Sequence, residues 1–165
     1  MPDVVADTSV IQYFFQIGLL DLLFTLYPKI SIPVAVANEL AEGRKHGVEL
    51  PDDAALARFE VLSVDVPNIL QIVKSLGSGE GQVLSLALAN PGCLVLLDDA
   101  VGRKHARSLE VRFTGTLGIL LKAKQSGLLI ELRSILDNLE GKGFRLDKKT
   151  RAATLKLSGE REDKG

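Results

Sequence analysis

Short apolar runs alternate along the chain with longer segments whose apolar positions recur at helical spacing. The runs predict strands at Val4–Ala6, Lys29–Pro33, Val61–Asp65, Leu94–Leu97 and Val111–Phe113. Runs of this length, bounded by polar or turn residues, are typical of buried strands. Because helical segments separate them, the pattern predicts an α/β fold with three layers, in which helices cover both faces of a central parallel sheet of four to five strands.

The helical segments are bounded by turn residues. They are predicted at Ser9–Gly18, Leu19–Leu26, Val34–Glu42, Pro67–Leu76, Glu80–Asn90, Val101–Leu109, Thr116–Ser126, Leu128–Leu139 and Lys148–Leu157. Ser9 and Gln12 have the spacing of a capping box, and the polar stretch 43–51 predicts a surface loop. We expect one domain over residues 1–158, with C-terminal helices at 128–158 and a frayed, charged tail at 159–165.

The run Val10–Tyr27 is long enough to raise the question of a membrane span. Asp21 and three other polar residues interrupt it, and an aspartate near the centre of a spanning helix costs roughly 3 kcal/mol. Gly18 divides the run, so it predicts two helices packed on a core. The first basic residue is Lys29, and we therefore expect no secretory signal.

The charge balance excludes nucleic-acid binding by bulk charge. The 165 residues include 20 Lys and Arg and 21 Asp and Glu, for a net charge of −1. Any such binding must come from local basic patches. Cys93 is the single cysteine, which excludes an intramolecular disulfide and fits a reduced, cytoplasmic location.

Acidic residues follow two of the predicted strands. Asp7 comes after the first, and Asp98 and Asp99 come after Leu94–Leu97. If these strands are neighbours, the carboxylates converge at one edge of the sheet, where ligands bind in such folds. Clustered carboxylates repel one another unless a hard cation such as Mg²⁺ or Mn²⁺ is present, and that cation can activate water for phosphodiester hydrolysis. The same three acids are equally suited to cap the helices that follow them.

Several segments of the chain resemble the PIN domain, the metal-dependent nuclease fold of VapC-like toxins from type II toxin–antitoxin pairs. They are VVADTS at 4–9, IPVAVANEL at 32–40, GEGQVLSLALA at 79–89, LVLLDD at 94–99, GRKHA at 102–106, TGTLGILLKAK at 114–124 and GKGFRLD at 141–147. The last three are similar to one prokaryotic PIN subgroup whose cellular role is unsettled. The resemblance covers nearly the whole chain and implies a PIN-like fold.

The resemblance also implies a set of acids. The catalytic acids it implies are Asp7, Glu39, Glu80 and Asp99, and the metal ligands are Asp7, Glu39, Asp98 and Asp99. The subgroup favours a Gly-Glu-x-Glu pattern, whereas this chain has Gln82 at the second acidic place, which puts one charge of the site in question. Gln82 is then a candidate supporting residue that would hold a water of the metal shell. Taken without the resemblance, Glu39 is equally a solvated helix residue and Glu80 a partner of the helix dipole.

Four hydroxyl residues are candidates for supporting roles. Thr8 and Ser9 follow Asp7 and could contact a metal or its water, although Ser9 is also the predicted helix cap. Thr114 and Thr116 follow the last predicted strand and could face the same cleft, or Thr116 could cap its own helix.

Two basic tripeptides with the same sequence follow candidate ligands. Arg44-Lys45-His46 comes after Glu39, and Arg103-Lys104-His105 comes after Asp99. The candidate RNA contacts are Arg103, Lys104, Arg44 and Lys45, because phosphates dominate nucleic-acid affinity. Each tripeptide is also typical of an ordinary helix end.

Three functions remain open on the sequence. The first is a Mg²⁺- or Mn²⁺-dependent endoribonuclease, with RNA as substrate and an antitoxin protein as candidate partner. The second is a degenerate PIN-like module that binds RNA or protein without cleavage. The third is a phosphatase with an Asp nucleophile, although such enzymes commonly carry an acid two residues later, where this chain has Ser9. We also expect a homodimer, because the helices have apolar surface to spare.

Overall fold

A five-stranded, all-parallel sheet forms the centre of the protein. The computed structural model describes residues 2–65 and 77–161. The strands are β1 (Val4–Ala6), β2 (Ser31–Pro33), β3 (Glu60–Leu62), β4 (Leu94–Leu96) and β5 (Arg112–Thr114), in the order β3-β2-β1-β4-β5. The predicted fold class is confirmed.

Nine helices flank this sheet in the part of the chain that the structure describes. They are α1 (Thr8–Gln16), α2 (Leu20–Leu26), α3 (Val34–Lys45), α4 (Asp53–Leu56), α5 (Ser78–Ala89), α6 (Ala100–Ser108), α7 (Thr116–Gln125), α8 (Arg133–Gly141) and α9 (Lys148–Leu157). The helix predicted at 67–76 lies outside the described residues.

The central strand β1 pairs with β2 on one side and β4 on the other. Val5 is the Cα partner of Ser31 in β2 and of Val95 in β4. All three β1 residues are buried, since helices cover both faces, which is why this strand is an unbroken apolar run. The strand order reverses between β1 and β4, and the carboxyl ends of these two strands therefore border the crevice where doubly wound folds bind ligands.

The apolar run 10–27 is divided between two helices, as predicted. Gly18 adopts φ +74°, a left-handed conformation that ends α1 and starts the turn to α2. Val10, Ile11 and Phe14 of α1 are completely buried in the core. Within the described ranges, no helix combines the length and apolar character needed to cross a membrane.

Helix α3 continues past the predicted loop start at Gly43 and ends at Lys45. A Cβ atom at Gly43 would lie 2.6 Å from Cδ1 of Leu50, so this glycine makes room for the returning chain rather than ending the helix. The loop prediction is wrong for residues 43–45. Helix α4 was not predicted, and Asp52 caps it by accepting a hydrogen bond from the Ala55 amide at 2.8 Å.

The amphipathic segment 128–139 becomes helical only from Arg133. Glu160 explains this start: its carboxylate accepts hydrogen bonds from the amides of Leu132 (2.7 Å) and Arg133 (3.3 Å) and pairs with Lys124 Nζ at 3.0 Å. Although burial opposes it, these donors lower the pKa of Glu160 to about 2. Glu160 is thus anchored, where the sequence predicts a frayed tail. Residues 162–165 lie outside the described part.

Candidate active site

A pocket of about 640 Å³ opens at the carboxyl edge of the sheet, where β1 and β4 end side by side. Acidic residues from four places in the chain line it: Asp7 follows β1, Asp98 and Asp99 follow β4, Glu39 belongs to α3 and Glu80 to α5. The acids that the sequence placed at strand ends, and those that the resemblance added, therefore share one cavity.

Asp7 is the most deeply placed of these acids. The residue is 5% exposed, and its amide donates to the Leu96 carbonyl at 2.9 Å, which ties it to β4. It precedes α1, but its side chain makes no capping hydrogen bond. Burial raises the pKa of Asp7 to about 6; the Thr8 amide opposes this, and the carboxylates of Glu39 and Asp99 add to the rise.

Glu39 belongs to an exposed stretch of α3, yet its carboxylate is held on both oxygens. Thr8 Oγ1 donates to Oε2, and the Gly79 amide donates to Oε1 at 3.1 Å. A Cβ atom at Gly79 would lie 2.6 Å from Oε1 and 2.8 Å from Oε2, so only glycine leaves this position open. Three helices thus meet at the Glu39 carboxylate, which is more than the solvated helix residue that the sequence alone left open.

Glu80 lies in the first turn of α5 and is partly buried. Burial, followed by the negative charges of Asp99 and Asp7, raises the pKa of Glu80 to about 7. Its position also suits the helix dipole, but burial and the neighbouring carboxylates together outweigh any lowering of its pKa by that dipole.

Asp98 and Asp99 have different surroundings. Asp98 accepts hydrogen bonds from the Thr116 amide at 2.7 Å and from Thr116 Oγ1 at 2.6 Å. Burial raises the pKa of Asp98, and Thr116 and Arg103 oppose the rise. Asp99 caps α6 by accepting from the Gly102 amide at 2.8 Å. Asp99 therefore combines the cap and the pocket position that the sequence left as alternatives.

Gln82 does not line the pocket. Its side-chain oxygen accepts a hydrogen bond from the Ala35 amide at 3.0 Å, in the first turn of α3, where the N-cap residue Pro33 offers no side-chain bond. Gln82, predicted as a supporting residue of the site, thus caps the neighbouring helix α3.

Among the hydroxyl residues, Thr8 and Ser9 line the pocket. Helix α1 begins at Thr8 rather than after Ser9, so the predicted capping box is wrong. Ser9 Oγ is buried and has no hydrogen-bond partner within the described residues, so this pocket residue has a polar atom that the protein itself does not use. Thr114 and Thr116 do not line the pocket; Thr116 is the first residue of α7, after the N-cap Gly115, and acts through Asp98.

Of the predicted RNA contacts, Arg103 lines the pocket, and its guanidinium lies 5.1 Å from the centre of the Phe113 ring. The other three do not line it: Lys104, Arg44 and Lys45. Arg44 instead pairs with Asp53 at 3.2 Å on the surface.

One wall of the pocket consists of residues to which the sequence assigned no role. They include Tyr13 from α1, and Phe144, Arg145, Asp147 and Thr150 from the connection between α8 and α9 and the start of α9. The segment GKGFRLD at 141–147 is part of the resemblance, but the spacing of its residues does not predict that it lines the same pocket as the acids.

The donor chemistry of the pocket fits a hard divalent cation, since its candidate ligands are carboxylate and hydroxyl oxygens. Burial, and after it the negative charges of neighbouring carboxylates, raises the pKa of Asp7 and of Glu80, and a bound cation would offset both effects. As the side chains stand, no three His, Cys, Asp or Glu residues in the described part of the chain are grouped to hold a metal ion. Glu39, Asp98 and Asp99 each hold a protein donor instead.

The sheet order and the acidic pocket at its reversal point define a doubly wound α/β protein with a cation-attracting site. A family model described as a PIN domain matches residues 3–160, and the chain belongs to this family. PIN domains are generally nucleases and typically use divalent metals, so membership indicates a nuclease-type function on nucleic acid. No curated protein and no solved structure matches the chain.

Proposed function

We propose that this protein is a Mg²⁺- or Mn²⁺-dependent endoribonuclease. The observation that carries the proposal is the convergence of acidic side chains from β1, β4, α3 and α5 on one pocket at the sheet reversal, beside the unpartnered Ser9 hydroxyl. PIN-family membership over residues 3–160 supports it independently.

Each acid has a distinct part in the proposed reaction. Asp7 and Asp99 would be the rigid metal ligands, because the sheet fixes the backbone that carries them. Glu39 of α3 would complete the ligand set, because hydrogen bonds from Thr8 and the Gly79 amide position its carboxylate. A bound divalent cation supplies an activated water and stabilises the leaving oxygen of the phosphodiester.

Proton transfer and substrate binding fall to neighbouring residues. Glu80, whose pKa is raised to about 7, is suited to accept a proton from the attacking water near neutral pH. Arg103 lies in the same pocket and would bind a phosphate of the substrate. Asp98 would position rather than ligate, because Thr116 already occupies both of its oxygens.

A binding module without catalysis is the second candidate. The observation in its favour is that the Glu39 and Asp99 carboxylates are engaged by protein donors. The loss of an acid at Gln82 does not favour it, since Gln82 faces α3 and removes no carboxylate from the pocket.

Metal titration and cleavage of a mixed-sequence RNA separate the two candidates. We expect Mn²⁺ binding by calorimetry and Mn²⁺-dependent cleavage in the wild type, and the loss of both in Asp7→Asn and Asp99→Asn. Asp53→Asn is the matched control, because Asp53 has a 98% exposed side chain outside the pocket. RNA binding without cleavage would support the binding module, and unchanged Mn²⁺ affinity in both pocket variants would remove the metal site.

We further propose that the protein acts in the cytoplasm as a homodimer and as the toxin of a type II toxin–antitoxin pair. Exposed apolar side chains support self-association, among them Leu128 (43% exposed), Ile130 (95%) and Leu157 (68%). A small antitoxin-like reading frame beside the gene would support the toxin role. A strict monomer in sedimentation at roughly tens of micromolar would contradict the dimer.

A further inference from the structure

One wall of the pocket is formed by the connection between α8, which ends at Gly141, and α9, which begins at Lys148. Four residues of this connection line the pocket: Gly143, Phe144, Arg145 and Asp147. The acids account for metal binding in the proposed function, and this wall is left without a role.

Both ends of the connection are held in place. After α8, Gly143 adopts φ +92° and the Phe144 amide donates to the Leu139 carbonyl at 3.0 Å. Before α9, Asp147 accepts from the Thr150 amide at 2.7 Å and from its hydroxyl at 2.9 Å. The backbone around residue 145 is therefore presented to the pocket in a defined position.

Arg145 is exposed and differs from the other arginines nearby. Arg103, the other cation that lines the pocket, lies over Phe113 and near Asp98. Arg151 of α9 pairs with Asp137 at 2.7 Å and with a second carboxylate at 2.8 Å. Within residues 2–65 and 77–161, Arg145 has no hydrogen bond, ion pair or ring contact, so its guanidinium is available to a ligand.

An aromatic pair continues the wall beside Arg145. The rings of Tyr13 and Phe144 meet edge to face, with centroids 5.1 Å apart and an interplanar angle of 86°. Both residues line the pocket and are partly exposed. A guanidinium next to an aromatic ring is the combination that single-stranded nucleic acid uses, since one binds phosphate and the other supports a base.

We propose that Arg145 binds a backbone phosphate of single-stranded RNA adjacent to the phosphate that is cleaved, with the Phe144 ring supporting the neighbouring base. The inference rests on the proposed ribonuclease function and adds the surface that positions its substrate. It also explains how a protein of net charge −1 can hold a polyanion beside a cluster of carboxylates: the bound metal and Arg103 face one phosphate, and Arg145 faces the next.

The test measures RNA binding separately from turnover. A fluorescent, mixed-sequence single-stranded RNA of about 10 nucleotides is titrated with Arg145→Ala, Arg145→Lys and wild type by anisotropy, with Ca²⁺ in place of Mg²⁺. We expect Arg145→Ala to weaken RNA binding about 5- to 20-fold. Arg145→Lys should have an affinity between those of Arg145→Ala and the wild type. The slope of log K against log salt concentration should be smaller in magnitude by about 0.7 in Arg145→Ala than in the wild type. Lys149→Ala is the matched control, because Lys149 is exposed, close in sequence and outside the pocket.

Cleavage assays with the same variants separate the inference from the proposed function. We expect Arg145→Ala to raise KM with little change in kcat and to leave the unfolding temperature unchanged, because Arg145 makes no contact that holds the fold. If the wild type cleaves RNA and Arg145→Ala matches Lys149→Ala in binding and KM, the inference is wrong and the nuclease function stands. If binding depends on Arg145 but no metal supports cleavage, the nuclease function fails, and with it the placement beside a cleaved phosphate, while the RNA contact of Arg145 stands. If the wild type does not bind the RNA, both fail.

Discussion

Replacing Gly79 by Ala should damage the metal site while sparing the fold. The added Cβ atom would lie 2.6, 2.8 and 2.9 Å from Oε1, Oε2 and Cδ of Glu39, closer than non-bonded atoms approach. Because a Glu carboxylate is the far end of a flexible side chain, it can swing away at little cost to packing. Glu39 would then lose its hydrogen bond from the Gly79 amide and leave the pocket without any change in the charge of the protein.

The expected size of the effect follows from this displacement. Misplacing a ligand by about 1 Å or removing the bond that orients it typically costs 10- to 100-fold in metal affinity or rate. We therefore expect Mn²⁺ affinity and metal-dependent RNA cleavage to fall by about that factor. The free energy of unfolding should change by less than about 1 kcal/mol, because Ala has the higher helix propensity.

Gly81→Ala is the matched control for this variant. Gly81 lies two residues further along α5, and a Cβ atom there meets nothing within 4 Å. It gains the same helix propensity without touching Glu39, so we expect wild-type metal affinity and a stability equal to or above that of the wild type. If calorimetry gives Gly79→Ala and Gly81→Ala the same Mn²⁺ affinity, Glu39 is not a ligand and the geometry assigned to it is wrong.

Three further variants test separate parts of the structure. Because the pKa of Asp7 is raised from 3.8 to about 6, ionisation of its carboxyl group destabilises the metal-free fold. The free energy of unfolding of Asp7→Asn should therefore exceed that of the wild type by roughly 1–3 kcal/mol above about pH 6. This difference, measured by denaturant unfolding, should vanish below about pH 4, where Asp7 is protonated in both the folded and the unfolded protein. Gln82→Glu should leave Mn²⁺ affinity unchanged within about threefold, since residue 82 caps α3; a clear gain in calorimetry would show that it faces the cation. Glu160→Gln should lower the free energy of unfolding by about 1–3 kcal/mol near neutral pH. Because the pKa of Glu160 in the folded protein, about 2, lies below the ordinary 4.5, this loss should shrink as the pH falls from 4.5 toward 2. A loss that does not depend on pH would contradict the capping role of the Glu160 carboxylate.

The central strands β1 and β4 could be predicted because helices bury them on both faces. Val4–Ala6 and Leu94–Leu96 are apolar at successive residues, a pattern that solvent-exposed segments rarely show. Helix ends were harder to predict, because tertiary contacts decide them. Gly43 suggests a break, yet it lies within α3 to admit Leu50, and α8 begins only where Glu160, far along the chain, supplies its cap.

The acidic half of the pocket could be predicted only in part. Asp7 and Asp99 follow adjacent parallel strands, so their convergence follows from topology. Glu39 and Glu80 lie on helices whose rotation no local pattern fixes, and the resemblance alone pointed to them. A role for Arg145 could not be predicted in either way: the resemblance includes its segment but assigns it no role, and its place in the pocket depends on how the chain packs between α8 and α9.

Helices α3 and α5 cap each other, and this pairing accounts for the departure from the acidic pattern at residue 82. Glu39 of α3 accepts from the Gly79 amide in the first turn of α5, and Gln82 of α5 accepts from the Ala35 amide in the first turn of α3. Each helix start needs an acceptor from outside, because neither has an N-cap side chain that supplies one. The amide oxygen of a glutamine meets that need as a carboxylate would, without adding a charge near a pocket in which three acids already have raised pKa values. The glutamine is therefore explained by helix capping, and the charge that matters for the cation remains with the acids that line the pocket.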